Sequence, residues 1–167
     1  MQYKPGRYST LKVFLYIADF VRYTLPCNAK SDRRLSDALG ELMNRTELKR
    51  YILETYNADA DHPWPRTPNH EVFRHSNNQK WFALLLDLPK SKLGLTGETR
   101  IDVVNLKCDP ILVGSLRAEN GFFPAYHMNK DTWITVALDG SVPDDKLKAL
   151  LDMSFFATAS KIRAKKQ

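Results

Sequence analysis

Three clusters of side chains in this 167-residue chain have the residue types and spacing for chemistry. The densest cluster runs from Phe122 to Lys130 and is followed by Trp133. Its polar members can offer hydrogen bonds to an anion: Tyr126, His127, Asn129 and Lys130. Such donors beside a stacking face are typical of sites that hold single-stranded nucleic acid. The alternative is that Tyr126 and His127 bond to the backbone of a tight loop, with Trp133 in the core.

The other two clusters lie earlier in the chain. Lys80 precedes Trp81 and could hold a phosphate or carboxylate, or it could be an edge charge that discourages sheet-to-sheet pairing. Lys107 and Cys108 lie just before a predicted helix, where the helix dipole can lower the pKa of a thiol. A nucleophilic Cys108 would need an oriented base, for which His127 is the candidate. The alternative is a buried, inert cysteine.

Familiar enzyme and cofactor patterns are missing from the sequence. The four histidines show no HxH or HExxH spacing, and the glycines lack the sequence of a phosphate-binding loop. There is no GxSxG elbow and no recognisable acid/base pair of carboxylates. We therefore predict a protein that is not an enzyme, with no catalytic residues, no metal site and no cofactor.

The net charge of +6 is concentrated at the two ends of the chain. Residues 1–50 hold ten basic and five acidic residues, and residues 161–167 hold four basic and no acidic residues. Residues 51–160 hold eleven basic and fourteen acidic residues. The basic ends could act as arms that contact phosphates, or they could be solvated termini.

Two further observations concern the compartment. The apolar stretch from Leu11 to Val21 is interrupted by Lys12 and Asp19, so we predict neither a membrane span nor a signal peptide. Cys27 and Cys108 lie far apart without metal-ligand spacing, as expected of free thiols. We predict a cytoplasmic protein.

Hydrophobic periodicity predicts the elements that position the three clusters. Helices are predicted at 11–21, 34–43, from Thr46, from Asp109 to about Arg117 with Asn120-Gly121 at its end, and after Pro143. Strands are predicted at 72–75, 80–88, 100–107 and 132–138, with the first two joined by a turn at 76–79. The proline-rich stretch 57–69 is predicted to be irregular. This order predicts an α+β domain, an antiparallel sheet with helices packed on one face.

Four segments together resemble the MmcQ/YjbR family of small bacterial proteins, also known as DUF419. They are Lys80-Trp81-Phe82-Ala83, the stretch Asn105 to Pro110, the stretch Pro124 to Lys130 with Trp133, and Leu138 to Asp144. The resemblance implies a fold like that of CyaY, the bacterial frataxin. It divides the chain into an N-terminal helical extension at 1–45, an MmcQ/YjbR-like α+β domain at 46–160 and a basic C-terminal tail at 161–167.

The resemblance also implies DNA binding, because family members are often labelled so. The last helix of the family usually carries a Ser-Tyr pair, whereas this chain has Ser154-Phe155. Iron binding of the frataxin kind is not expected, because the helix from Thr46 to Asn57 mixes acidic and basic residues.

These observations predict a non-enzymatic binding protein with one ligand surface. The predicted contact residues are Lys80, Lys107, Tyr126, His127, Asn129, Lys130 and Trp133. The ligand is DNA or, alternatively, an anionic small molecule or a protein partner that uses the Tyr126–Lys130 loop. No membrane partner is expected.

Overall fold

The computed structural model describes residues 43–160. The two helical patterns predicted before Met43 and the basic tail at 161–167 lie outside the described residues. Residues 43–160 form three α-helices and six strands, which are interspersed along the chain. In chain order they are α1 (Arg45–Tyr56), β1 (Asp59–Asp61), β2 (Glu71–Arg74), β3 (Trp81–Pro89), a 3-10 helix (Lys90–Leu93), β4 (Arg100–Lys107), α2 (Pro110–Leu116), β5 (Phe122–Pro124), β6 (Trp133–Ala137) and α3 (Asp144–Thr158).

The six strands form one antiparallel sheet in the order β1-β2-β3-β4-β6-β5. The longest pairing joins β3 to β4, with Ala83 opposite Leu106 and Pro89 opposite Arg100. The two edge strands, β1 and β5, are three residues long. Short edges with polar residues or proline discourage pairing with another chain. The predicted α+β fold with an antiparallel sheet is confirmed, while its likeness to CyaY remains a prediction.

Capping side chains explain where two of the helices begin. Asn44 accepts hydrogen bonds from Thr46 N (2.9 Å) and Glu47 N (3.1 Å), and Glu47 bonds back to Asn44 N, which completes a capping box. Asp109 accepts from Ile111 N at 2.9 Å, with Pro110 at the first helical position, as predicted. Local sequence therefore determines both starts.

One face of the sheet, which we call the helix face, packs against α1 and α3. Phe155 of α3 stacks on Tyr56 of α1 with ring centroids 4.7 Å apart, and it meets Phe82 of β3 edge to face. The partly exposed Phe155 therefore belongs to a cluster of aromatic rings that joins α3 to α1 and β3. Ser154, fully buried, donates to Phe82 O and accepts from Lys107 N at 2.8 Å, which ties α3 to β3 and β4.

The opposite face, which we call the loop face, is covered by loops. Its buried layer consists of Val72, Leu84, Leu86, Leu88, Ile101, Val103 and Ala137. Partly buried side chains from loops and strand ends pack on this layer: Trp64, Trp81, Leu93, Phe123, Tyr126 and Met128. Because these aromatic side chains are only partly buried, the loop face leaves aromatic surface within reach of solvent.

Three local details differ from the predictions. The stretch 57–69 contains the strand β1, and Phe122–Pro124, where no strand was predicted, forms β5. Helix α2 ends at Leu116 with Arg117 as its C-cap, close to the predicted end, but Asn120-Gly121 does not terminate it. Gly121 instead makes a close approach: its φ is +82°, and a Cβ there would lie 2.3 Å from Ser141 Oγ. Only glycine fits such a position without strain.

Candidate functional site

Lys107 and Trp133 form a pair on the loop face. They are direct cross-strand partners on β4 and β6, and Lys107 Nζ lies 5.6 Å from the centroid of the indole ring. Trp133 is only 8% exposed, whereas Lys107 is partly exposed. The indole therefore belongs to the core, and the pair presents mainly the ammonium group, held in place by a cation–π contact.

A buried polar network fixes the loop that follows β5. Asn105 and Thr135 are fully buried cross-strand partners, and Thr135 Oγ1 donates to Asn105 Oδ1 at 2.5 Å. Asn105 Nδ2 donates to Tyr126 O at 2.8 Å, and Tyr126 N donates to Thr135 Oγ1 at 3.0 Å. Because both backbone groups of Tyr126 are held, the loop has a rigid base directly beside Lys107 and Trp133.

His127 projects from this base into solvent. Its φ is +54°, a left-handed conformation that histidine adopts more readily than most side chains but that still costs energy. The imidazole is exposed and touches the phenol ring of Tyr126, with centroids 4.1 Å apart. The strained backbone thus directs the imidazole of His127 into solvent, next to the phenol ring of Tyr126.

Asn129 and Lys130 lie in the same loop and differ in role. Asn129 Oδ1 accepts from Asp131 N at 2.8 Å, so its side chain closes a turn. Lys130 is exposed, and its carbonyl accepts a hydrogen bond from Arg117 Nη2 of the segment after α2. Among residues 43–160, the ion pairs include neither Lys130 nor Lys107.

Lys80 is placed apart from these residues. Its backbone belongs to the β2–β3 turn, where Lys80 N donates to Asn78 Oδ1 at 2.9 Å and Lys80 O accepts from His75 N at 3.0 Å. His75 is buried on the helix face, where burial lowers the pKa of its imidazole and the charge of Lys80 adds to the effect. The structure therefore groups Lys80 with His75 and not with the loop of Tyr126.

The arrangement of Cys108 rules out the nucleophile considered from the sequence. Its side chain is 3% exposed, and burial, followed by the charge of Asp109, raises its pKa to about 11. The ring that His127 contacts is Tyr126. At neutral pH a thiol with so high a pKa is protonated and inert.

Arg74 is a neighbour of the site that the sequence reasoning missed. It lies opposite Trp81 across β2 and β3, and its guanidinium carbon lies 5.2 Å from the Trp81 ring centroid. Trp81 in turn meets Trp64 edge to face at 5.7 Å. Arg74 also pairs with Asp61 at 2.8 Å. The sequence contained one signal for the contact between Arg74 and Trp81: the two residues lie on either side of the predicted turn at 76–79.

A cleft with balanced charge lies at the other end of the sheet. It encloses about 390 Å³ and is lined by Arg45, Asn69, Asp87, Arg100 and Asp102. Asp87 and Asp102 lie opposite each other on β3 and β4, and each binds one arginine at 2.8 Å. The arginines therefore neutralise a cross-strand pair of like charges, which would otherwise destabilise the sheet.

The described part of the chain contains neither a cluster of metal-binding side chains nor a membrane-spanning helix. Within residues 43–160, no three His, Cys, Asp or Glu side chains are grouped so that they could hold a metal ion. No helix in the same range is long and apolar enough to cross a membrane.

Comparison with known proteins gives consistent relatives. The sequence matches the YjbR family over residues 53–157. It is 35% identical to the uncharacterized protein YyaQ of Bacillus subtilis over 117 residues, which cover 70% of this chain and 99% of that protein. A crystal structure of a Pseudomonas syringae protein is 48% identical with a TM-score of 0.69, covering 70% of this chain and all of that one. A Deinococcus radiodurans protein with a DUF419 domain is 26% identical with a TM-score of 0.56, covering 74% of this chain and 84% of that one.

Proposed function

This chain belongs to the YjbR family, and we propose that it is a non-enzymatic binding protein with its ligand on the loop face. The proposed contacts are Lys107, Tyr126, His127 and Lys130, with Asn129 shaping the loop and Trp133 supporting Lys107. Lys80 is not among the proposed ligand contacts, because its neighbours lie on the helix face. No cofactor takes part, and the thiol of Cys108 suits a reducing cytoplasm.

The main support for this proposal is that an anchored loop lies beside Lys107, a cation outside the ion pairs of residues 43–160. The backbone of Tyr126 is fixed by Asn105 and Thr135. Lys107, two residues after Asn105 on the same face, is held over Trp133. Such preorganisation reduces the entropy lost when a ligand binds. A purely structural loop would not require an exposed His127 at positive φ.

DNA is the first ligand that we propose. Phosphate contacts from Lys107, Lys130 and the His127 ring would be supplemented by the four basic residues at 161–167. Binding by three such contacts to a single strand should weaken with salt, with a logarithmic slope of about −2.

An anionic small molecule or a protein partner is the second candidate. It is favoured by the charge balance, since residues 51–160 carry eleven basic and fourteen acidic residues. A domain that binds DNA mainly through its own surface is normally basic. This candidate uses the same loop and needs no contact from the ends of the chain.

The test compares charge-matched variants in binding titrations at low salt. Lys130→Ala and His127→Ala should weaken binding of the anion that the wild type binds, whereas Lys92→Ala, an exposed lysine after β3, should leave it unchanged. The probes are single-stranded DNA, duplex DNA and pyrophosphate. Binding of pyrophosphate without DNA would support the second candidate. The proposal fails if the wild type binds none of the probes, or if Lys92→Ala weakens binding as much as Lys130→Ala does.

A further inference from the structure

A strip of alternating cations and indoles crosses the loop face at one end of the sheet. Its members lie on four neighbouring strands: Arg74 on β2, Trp81 on β3, Lys107 on β4 and Trp133 on β6. Arg74 is the cross-strand partner of Trp81, and Lys107 is that of Trp133. We call these four residues the cation–indole strip.

The register places both halves of the strip at the same end of the sheet. Ala83 and Leu106 are the last pair between β3 and β4, and Trp81 and Lys107 are the next loop-face positions beyond that pair. Trp81 packs on the buried layer of the loop face, and Lys107 shares that face with Asn105 and Val103 by strand alternation. Three spacings between neighbouring strands give the strip a length of about 14 Å.

Each cation of the strip is held over its indole partner. Arg74 lies 5.2 Å from the ring centroid of Trp81, and Lys107 lies 5.6 Å from that of Trp133. The strip then continues into the partly buried Tyr126 and the exposed His127, whose loop is bonded to Asn105, two residues before Lys107. Because Trp133 is buried, the groups that a ligand can reach alternate as cation, ring, cation and ring: Arg74, Trp81, Lys107 and Tyr126.

We propose that the strip and the Tyr126–His127 pair together bind an extended single strand of nucleic acid. This inference rests on the proposed function and names its ligand. A single strand presents phosphates and free base faces alternately, which matches the alternation of cations and rings. Duplex DNA offers mainly phosphates to such a flat surface, because its bases are stacked inside.

The balanced charge of the domain favours the same choice. Stacking on aromatic rings supplies binding energy that does not depend on net charge. A ligand bound only through phosphates would need the basic domain that this chain lacks. Trp81, which is half-buried and lies next to Trp64, and Tyr126 are the rings with surface left for stacking.

Asp61 on the edge strand β1 limits the strip at its outer end. It pairs with Arg74 at 2.8 Å and is about half exposed, so it competes with a phosphate for the guanidinium group. Asp59, on the same strand, instead accepts from Gln79 Nε2 at 2.7 Å. The two aspartates therefore carry equal charge but differ in their contact with the strip.

Fluorescence titrations of the full chain with labelled oligothymidylate of about 16 nucleotides, the upper range of single-strand site sizes, test the proposal. Arg74→Gln should weaken binding about tenfold, the effect of one charge-assisted hydrogen bond. Arg100→Gln removes the same charge at the other end of the sheet and should change binding less than twofold. Asp61→Asn should tighten binding and Asp59→Asn should not. A matched duplex should bind more weakly than the single strand.

The outcomes separate this inference from the proposed function. If Lys130→Ala weakens binding while Arg74→Gln and Arg100→Gln behave alike, the strip is excluded and the proposed loop site stands. If the wild type binds pyrophosphate but not oligothymidylate, the nucleic-acid ligand is excluded and the anion site stands. If it binds neither, both proposals are overturned. Thermal unfolding of each variant identifies any loss of binding that results from misfolding.

Discussion

His75 and His127 show how differently the two faces of the sheet use the same side chain. On the helix face, His75 is buried against Phe155, and its Nε2 lies 2.8 Å from Thr158 Oγ1. On the loop face, His127 is exposed, at positive φ, above a buried network that holds only the backbone beneath it. The side chain of His75 is thus bonded inside the fold, whereas that of His127 remains available for a partner.

The largest effect is expected from breaking the helix face at Ser154. In Ser154→Ala, the buried groups Phe82 O and Lys107 N lose their shared partner. We expect the free energy of unfolding to fall by about 2–4 kcal/mol, since two buried backbone groups are left unpaired. Urea denaturation measures it, with Ser115→Ala on an exposed helix position as the control. A loss equal to that of the control would contradict the role of Ser154.

A smaller loss is expected from the network beneath the loop face. Thr135→Val keeps the shape of the side chain but removes the bonds to Asn105 and Tyr126. We expect unfolding to become easier by about 1–3 kcal/mol and the amide of Tyr126 to exchange faster with solvent. The exposed Thr96→Val is the matched control. Unchanged exchange at Tyr126 would show that the loop is held by other contacts.

The buried His75 should also make the stability of the fold depend on pH. Burial lowers the pKa of His75 in the folded state, so the unfolded chain binds a proton more readily. The contribution of His75 is fully present above about pH 6.5 and declines as pH falls through its lowered folded pKa. Urea denaturation between pH 5 and 8 should show a weaker decline in His75→Gln than in wild type. Equal curves for the variant and the wild type would refute this role of His75.

The smallest effect on stability is expected from the surface of the loop face. Lys130→Ala should change the free energy of unfolding by less than about 0.5 kcal/mol, because its ammonium is exposed and outside the ion pairs found in residues 43–160. Its effect should instead appear in ligand titrations. A variant that loses stability but keeps its affinity would place Lys130 among the structural residues.

Local sequence signals predicted most of the elements. The helix predicted from Thr46 begins at Arg45, and the cap at Asp109 and the central strands of the sheet were predicted directly. Side-chain caps and hydrophobic alternation act over a few residues and are therefore visible in the sequence. Strands β1 and β5 were missed because three residues carry no periodicity, and their pairing with distant strands creates them.

The candidate site was predicted less completely because it depends on register. Between β2 and β3 the register shifts, with Phe73 opposite Ala83 and Arg74 opposite Trp81, so that Phe82 has no partner. An added residue of this kind changes which side chains share a face. It explains why Arg74, rather than the predicted Lys80, accompanies Trp81. The burial of Cys108 likewise follows from tertiary packing that spacing alone does not reveal.

Chemical-shift mapping by NMR tests the central claim, that the loop face is the binding surface, most directly. The ¹⁵N-labelled protein is titrated at low salt with oligothymidylate and, separately, with pyrophosphate. The account predicts shifts at Lys107, Tyr126, His127 and Lys130 with the ligand that binds, extending to Arg74 and the Trp81 indole with oligothymidylate. Residues of the helix face such as Tyr56 and His75 should stay unchanged. Shifts confined to the helix face, or no shifts with either ligand, would contradict the account.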